Sequence, residues 1–440
     1  MASSSDTPQN SDTTVAPARN GSELSGGRGL ALVLLSFVLR LAAGLLVMVF
    51  MARAFGPTEF GQFVYWLAVA TLVTVAVNMG LGTYVLREIG IEKNRYHAVM
   101  GAALSAKLVI SAVVVLGCAV ACLGLPPDDA WIFALLALAQ LFDSFGEFFN
   151  LGFRRDGCYQ SEALTAVVTS VLHLACMGIA VAVWGDALQA ALAFALSRGV
   201  GLGIIAWRSM AVTGPVRPAP LRKVWPLLRA TWAYGGELAL NTGYSQVDTL
   251  LVNSVLGISG VGLYQAGMKL VDGVCRLAPV VAQFVLPTLA SHRYNKQRFR
   301  RSALRVMALM GGIGIVGGGL LIFFAQTIGS KLYGDQYSSL AALMPLFAAL
   351  LCLRYIETAC GLLLVARGMQ HIKVWLVAVQ FMIVLGLGYP ALQRYGIPGW
   401  QWCVIGGLSV VISMYALLLR RWRADAGADA GADAGAAATV

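Results

Sequence analysis

Charged side chains recur at helical spacing inside segments that are otherwise apolar. Lys269, Asp272 and Arg276 stand at positions i, i+3 and i+7, which places all three on one face of a helix. A lysine and an arginine on one face can bind a phosphate group, the arginine through paired hydrogen bonds and the lysine as a point charge. Such a face cannot point at lipid, because an unpaired charge in hydrocarbon is costly. The spacing therefore predicts either an anion-binding cavity or ion pairs between helices.

Other apolar segments carry further candidates for the same chemistry. Arg40 lies midway along its own segment, which contains no acidic residue, and this position predicts either a hydrated cavity or an ion pair with another helix. Lys107 and Arg198 lie nearer to helix ends, where snorkelling to the interface is the alternative. The remaining candidates are Arg354 among the bases and, as acids that pair with bases or take up a proton or sodium ion, Asp143, Glu147, Glu237, Asp248 and Glu357.

The elements that must position these side chains are membrane helices. The 440 residues are 58% hydrophobic and only 12% charged, and the mean hydropathy is +0.74. A soluble protein needs far more polar surface. Twelve apolar runs are long enough to span a bilayer, so the sequence predicts an all-α polytopic membrane protein with twelve transmembrane helices.

A repeated hairpin organises these spans. Gly56 and Pro57 end the first span, and Gly61 lets the chain turn back into the second. Gly257 and Gly262 return at a constant offset of 201 from Gly56 and Gly61. This repeat predicts two six-helix lobes related by pseudo-two-fold symmetry, as in many transporters.

Basic residues predict the orientation. Most of them fall in the termini and in one set of loops, and the opposite loops contain only Arg53, Lys331 and Arg394. The positive-inside rule then places both termini in the cytoplasm. The net charge of +11 is therefore a topology signal and does not indicate a nucleic-acid partner. The eight cysteines have neither disulfide nor metal-ligand spacing, so no cofactor is expected.

The hydrophilic stretch from Arg208 to Leu228 contains three prolines and divides the chain into halves. The N-terminal segment is polar, and the C-terminal segment is a low-complexity repeat of Ala-Asp-Ala-Gly. The predicted organisation is a disordered tail (1–27), an N-lobe with helices 1–6 (28–207), a cytoplasmic linker (208–228), a C-lobe with helices 7–12 (229–423) and a disordered tail (424–440).

The order and spacing of several loop motifs resemble those of a known family. The motifs are the hairpin at 52–61, the end of the second span at 78–82 with Arg87, the loop at 152–162, the second hairpin at 256–264 and the turns at 331–334 and 394–399. Together they resemble polysaccharide-repeat flippases, the Wzx-type branch of the multidrug, oligosaccharidyl-lipid and polysaccharide exporter (MOP) superfamily. One position departs from the family: Asn78 stands where many members carry an acid, so no role of that carboxylate can be transferred.

The resemblance implies a MOP/MATE-like fold and a function. It implies that the chain moves an undecaprenyl-diphosphate-linked oligosaccharide from the cytoplasmic to the outer leaflet for polysaccharide biosynthesis, by rocking two lobes around a central cavity. The lipid bilayer and polysaccharide polymerase machinery are the implied partners. Coupling to a proton gradient, a sodium gradient or the membrane potential stays open, and the chain would be a transporter and not an enzyme.

Two other function classes remain as alternatives. A cation-coupled multidrug exporter of the same superfamily would share the twelve-span plan, although the basic residues around the expected cavity disfavour a cationic drug. A membrane-embedded polysaccharide polymerase or glycosyltransferase would need a substantial external loop for acceptor sugars, and every external loop here is short. The sequence disfavours an ATP-driven pump further, because the phosphate-binding G-x-x-x-x-G-K-[ST] motif does not occur in it.

Overall fold

A computed structural model describes residues 27–92, 95–155, 158–183, 185–292 and 295–437. Side chains are described between residues 41 and 418, apart from a few positions in that range. Within this part of the chain every long element is a helix and none is a strand. This agrees with the predicted all-α class.

Eleven α-helices follow one another along the described part of the chain. Those of the first half, which we call the N-lobe, are α1 (Gly27–Asn78), α2 (Leu81–Ile91), α3 (Tyr96–Cys122), α4 (Pro127–Arg155), α5 (Tyr159–Val183) and α6 (Ala187–Thr213). Those of the second half, which we call the C-lobe, are α7 (Val224–Cys275), α8 (Ala278–Ser291), α9 (Lys296–Phe323), α10 (Leu340–Ala366) and α11 (Gln370–Ala437).

Three of these helices fold back on themselves at a glycine. Gly56 in α1, Gly257 in α7 and Gly396 in α11 have φ values of 74°, 69° and 64°. These left-handed values cost glycine little, because it has no Cβ atom. Pro57 follows Gly56 as the first residue of the second arm, where the missing N–H would have no helical partner in any case. The two predicted hairpins are therefore present, and α11 contains a third.

The helices are long and apolar enough for a protein that crosses a membrane many times. By length and composition, nine helices in the described residues qualify as candidate spans. The three folded helices are among them, and each contributes two arms. The protein is therefore a multi-pass membrane protein, and the number of twelve spans stays a prediction.

The hairpins of α1 and α7 lock into each other at one end of the molecule. Gly61 packs on the carbonyl oxygen of Ile258, and Gly262 packs on the carbonyl oxygen of Pro57. Pro57 and Ile258 are themselves 201 residues apart, as are Gly61 and Gly262. A reciprocal contact of this kind is what a pseudo-two-fold axis between two copies of one hairpin produces. A Cβ atom at either glycine would overlap the facing backbone.

A loop between α9 and α10 ties the two hairpins together at the same end. It contains a π-helical turn, Thr327–Leu332, and its Lys331 carbonyl oxygen accepts a hydrogen bond from Arg53 Nη1 at 2.5 Å. The Tyr333 hydroxyl donates to the carbonyl oxygen of Ala266 on α7 at 2.9 Å. Burial raises the pKa of Tyr333, so its hydroxyl remains a neutral donor. The loop thus contacts both lobes.

The connection between the lobes is shorter than predicted and is fixed to the N-lobe. Because α6 continues to Thr213 and α7 begins at Val224, only residues 214–223 connect them. The backbone N–H of Ala219 donates to the carbonyl oxygen of Gly101 at 3.1 Å, and the Ser105 hydroxyl donates to the carbonyl oxygen of Ala219 at 2.7 Å. The linker is therefore held against α3.

The C-terminal repeat also differs from the expectation. Helix α11 continues to Ala437 and so includes most of the Ala-Asp-Ala-Gly repeat, for which the sequence predicts disorder. Alanine has the highest helix propensity of all residues, and every second residue of the repeat is alanine. The composition that favours disorder therefore also permits a helical extension of the last span.

Candidate functional site

A central cavity of about 340 Å³ lies between the two lobes. Its N-lobe wall comes from α1, α4, α5 and α6, and its C-lobe wall comes from α7 and from Arg276, the residue that directly follows α7. Met48 and Val64, one on each arm of the α1 hairpin, line it about two helical turns from Gly56. The cavity therefore lies directly beneath the contact between the two hairpins.

The charged stripe predicted on α7 faces this cavity. Lys269, Asp272 and Arg276 all line its C-lobe wall. Lys269 and Arg276 form no hydrogen bond or ion pair with the part of the chain that the structure describes. Two cations without a partner among the described residues therefore face a cavity between membrane helices, an arrangement that is costly unless water or an anion is present.

Among the residues whose side chains the structure describes, the N-lobe wall contributes one arginine, and this arginine is neutralised. Arg198 Nη1 lies 2.9 Å from Asp143 Oδ1, and the two side chains are 32% and 43% exposed to the cavity. The Arg198 guanidinium also stacks over the Phe194 ring at 5.0 Å. This ion pair adds no net charge to the wall, and its position in the cavity excludes snorkelling for Arg198.

Asp272 is neutralised from behind the cavity wall. Arg354 on α10 donates from Nη1 to Asp272 Oδ1 at 2.8 Å. Arg354 itself does not line the central cavity, but lines two other spaces inside the C-lobe. Because Arg354 satisfies the carboxylate, Asp272 does not cancel the charge of its neighbours Lys269 and Arg276.

The two halves of the repeat present different surfaces to the cavity. The offset of 201 relates Val64, Ala68 and Thr71 of the N-lobe to Gln265, Lys269 and Asp272 of the C-lobe. All six residues line the central cavity. The duplicated hairpins thus provide one largely apolar wall and one charged wall, so the charges are not a requirement of the shared fold.

Lys107 lies elsewhere, inside the N-lobe. Its ammonium group donates to Asn78 Oδ1 at 2.9 Å and to the Ser144 hydroxyl at 2.6 Å, and only 2% of the residue is exposed. It lines a separate space of about 370 Å³, which we call the N-lobe pocket, together with Glu147. The structure therefore does not bring Lys107 together with the charged stripe of α7.

We expect Lys107→Met to lower stability without removing transport. The variant loses two charge-assisted hydrogen bonds, so its free energy of unfolding should fall by about 1–3 kcal/mol. Thermal unfolding of the purified protein measures the change, and transport per folded molecule should stay within about twofold of wild type. Lys331→Met, at an exposed position, is the control. Unchanged stability with lost transport would instead assign Lys107 a role in binding.

The predicted acids are distributed among several sites. Asp143 and Asp272 face the central cavity, and Glu147 faces the N-lobe pocket. Asp248 lines a space within the C-lobe, and Glu357 lines a neighbouring one together with Lys373. The side chains of Arg40 and Glu237 lie outside the described part of the structure.

Sequence reasoning missed two neutral residues that line the central cavity. His173 lies on its N-lobe wall, and its Nδ1 atom is 2.8 Å from the Ser197 hydroxyl. Gln265 lies on its C-lobe wall and donates to the Thr249 hydroxyl at 2.5 Å. Only the isolation of each polar residue in an apolar run could have indicated them. No group of three metal-binding side chains occurs among the residues described.

Several solved structures share this fold. The lipid II flippase MurJ, in an inward closed conformation, superposes with a TM-score of 0.73 at 12% identity, covering 89% of this chain and 87% of that one. A multidrug resistance MATE family transporter of the MOP superfamily, facing inward, gives 0.69 at 16% identity over 88% and 95%. A MOP superfamily transporter from Pyrococcus furiosus gives 0.64 at 16% identity over 90% and 96%. The predicted MOP/MATE-like fold is confirmed.

Sequence similarity points to polysaccharide biosynthesis. The amylovoran biosynthesis protein AmsL of Erwinia amylovora is 24% identical over 189 residues, which are 42% of this chain and 46% of that protein. The match thus spans about half the length of this relative. A family model described as "Polysaccharide biosynthesis protein" matches residues 50–342, both hairpins and the charged stripe of α7 included. Because this match covers more than half of the 440 residues, the chain belongs to the polysaccharide biosynthesis protein family.

Proposed function

We propose that this protein flips a lipid-linked oligosaccharide across the membrane, with a diphosphate group bound in the central cavity. The observation that carries the proposal is the pair of unpaired cations, Lys269 and Arg276, on the wall between the two lobes. A diphosphate supplies the anion that these side chains lack. Arginine binds phosphate oxygens bidentately, and lysine adds a compact positive charge.

The uneven walls of the cavity support this assignment. The sugar and diphosphate of a lipid-linked oligosaccharide need a polar surface, whereas its polyprenyl chain can stay in the bilayer. The polar α7 wall would bind the head group, and the apolar α1 wall would face the part of the polyprenyl chain next to the diphosphate. Undecaprenyl diphosphate, the carrier implied by the family resemblance, has this distribution of charge and apolar surface.

Movement would follow from the relation between the lobes. The hairpin contact at Gly61 and Gly262 closes one end above the cavity. Rocking of the lobes about their pseudo-two-fold axis would open that end and expose the cavity to the other leaflet. The distribution of basic loops supports cytoplasmic termini, an inner-membrane location and transport toward the outer leaflet.

Energy coupling and protein partners extend this proposal. Asp143 and Asp272 line the cavity and could exchange their arginine partners for a proton or sodium ion during the cycle. Polymerase machinery would act next, because the flipped repeat units must then be joined. Neither step requires a cofactor bound by this chain.

Deletion of the gene tests the proposed function. Surface polysaccharide should disappear while finished lipid-linked oligosaccharide accumulates on the cytoplasmic side, and a plasmid copy of the gene should reverse both effects. Normal polysaccharide together with new sensitivity to cationic drugs would replace flipping by the multidrug exporter alternative. Loss of polysaccharide without any accumulated lipid-linked oligosaccharide would point to a defect in assembly and would contradict flipping.

A further inference from the structure

A second space adjoins the central cavity on the C-lobe side. It measures about 440 Å³, within the range of about 300–1,000 Å³ typical of small-molecule pockets. We call it the C-lobe pocket. It shares five lining residues with the central cavity, so the two spaces meet along one wall: Gln246, Gln265, Lys269, Asp272 and Arg276.

Aromatic rings dominate the far side of the C-lobe pocket. Tyr244 on α7 and Phe381 on α11 both line it and pack edge to face, with ring centroids 5.6 Å apart and an interplanar angle of 76°. Tyr264 and Trp400 lie deeper, each only 2% exposed. The pocket therefore combines aromatic rings on one side with charged side chains on the wall that it shares with the central cavity.

Hydrogen bonds hold these rings in place. The Tyr264 hydroxyl donates to Asp248 Oδ2 at 2.7 Å, and Trp400 Nε1 donates to the Tyr264 hydroxyl at 3.3 Å. On the other side of the pocket, Gln380 Nε2 donates to the Tyr244 hydroxyl at 2.8 Å. Rings that are fixed before binding lose little conformational freedom when a ligand packs on them.

The polar lining of this pocket belongs to the second repeat alone. At the offset of 201, Gln246 corresponds to Leu45, and Asp248 corresponds to Val47. The first repeat folds into the same hairpin with apolar residues at both positions. These polar side chains are therefore not needed to form the hairpin, which points to a role in binding.

We propose that the C-lobe pocket binds the sugar residue nearest to the diphosphate, an inference that rests on the proposed function. A sugar ring has apolar C–H faces that pack on the electron-rich faces of aromatic rings, and its hydroxyl groups exchange hydrogen bonds with amide and hydroxyl side chains. Ser245 and Gln246 supply such groups at the pocket wall. Lys269 and Arg276 on the shared wall would hold the adjoining diphosphate and disfavour a cationic ligand.

Binding of two lipids to the purified protein tests this subsite. One is the lipid-linked oligosaccharide extracted from the deletion strain, and the other is undecaprenyl diphosphate, which has no sugar. Wild type should bind the sugar-bearing lipid more tightly. Phe381→Leu, which keeps apolar volume but removes the ring, should weaken binding of that lipid about fivefold and change binding of undecaprenyl diphosphate less than about twofold.

Phe323→Leu is the matched control, because Phe323 is 81% exposed on the surface of α9 and lies outside the pocket. If Phe381→Leu weakens the binding of both lipids equally, or weakens neither, the proposal of a sugar subsite is wrong while the proposal of flipping stands. Equal binding of the two lipids by wild type would overturn it as well. If wild type binds neither lipid, the proposed function fails and the subsite fails with it.

Discussion

Replacing Lys269 or Arg276 with alanine is expected to reduce transport of the lipid-linked oligosaccharide roughly ten- to hundredfold. Each change removes one charge-assisted contact to the diphosphate, worth about 1.5–3 kcal/mol. Both side chains lack a partner in the described structure, so their removal breaks no ion pair of the folded protein. Protein level should therefore stay close to wild type, and the loss should appear as weaker binding of undecaprenyl diphosphate.

Matched variants separate this effect from a general loss of positive charge. Lys331→Ala and Arg394→Ala remove one cation each at exposed positions outside the cavity and should leave transport unchanged. Lys269→Arg should retain much of the activity, since it keeps the charge. Full transport by both alanine variants at the cavity would exclude the two cations from the binding site. Equal losses in the surface controls would show that overall charge, and not this wall, is responsible.

Gly61→Ala is expected to separate the two hairpins and to lower transport roughly tenfold. The added Cβ atom would overlap the carbonyl oxygen of Ile258, and backbone atoms cannot move aside as a flexible side chain can. Overpacking of this kind costs about 1–3 kcal/mol, which favours conformations in which this end is open. Gly262→Ala should act in the same way, because its added Cβ atom would overlap the carbonyl oxygen of Pro57.

Spin labels at Thr58 and Ser259, one at the tip of each hairpin, measure this separation. The distance between the labels should increase in Gly61→Ala, and transport should fall in the same variant. Gly311→Ala on α9 is the control, because nothing lies within 4 Å of a Cβ atom at that position. Wild-type distance and wild-type transport in Gly61→Ala would show that closure of this contact is not a step of the cycle.

Local features of the fold could be predicted because they depend on short stretches of sequence. The hairpins at Gly56 and Gly257 need only a glycine with positive φ between two apolar runs. The stripe of Lys269, Asp272 and Arg276 follows from helical spacing alone, and so does its position on one face. Boundaries were less predictable: the linker is shorter than expected because α6 and α7 extend into it.

The partners of the charged residues could not be predicted. The sequence nominated Lys107 and Arg354 as equal candidates for a cavity wall, but one is held by Asn78 and the other by Asp272. Such contacts join residues far apart in the chain, and which helices meet depends on how all of them pack. The same holds for His173, which becomes part of the cavity only because α5 packs beside α1 and α6.

The sequence by itself determined the membrane class, the repeat and the face of α7 that carries charge, because composition and periodicity act within single segments. Only the tertiary structure decided which charges remain unpaired. Arg354 on α10 satisfies Asp272, and Asp143 on α4 satisfies Arg198, so Lys269 and Arg276 remain without partners in the described chain. Charge compensation depends on distances of a few ångströms between helices, and those distances are set only when the lobes assemble.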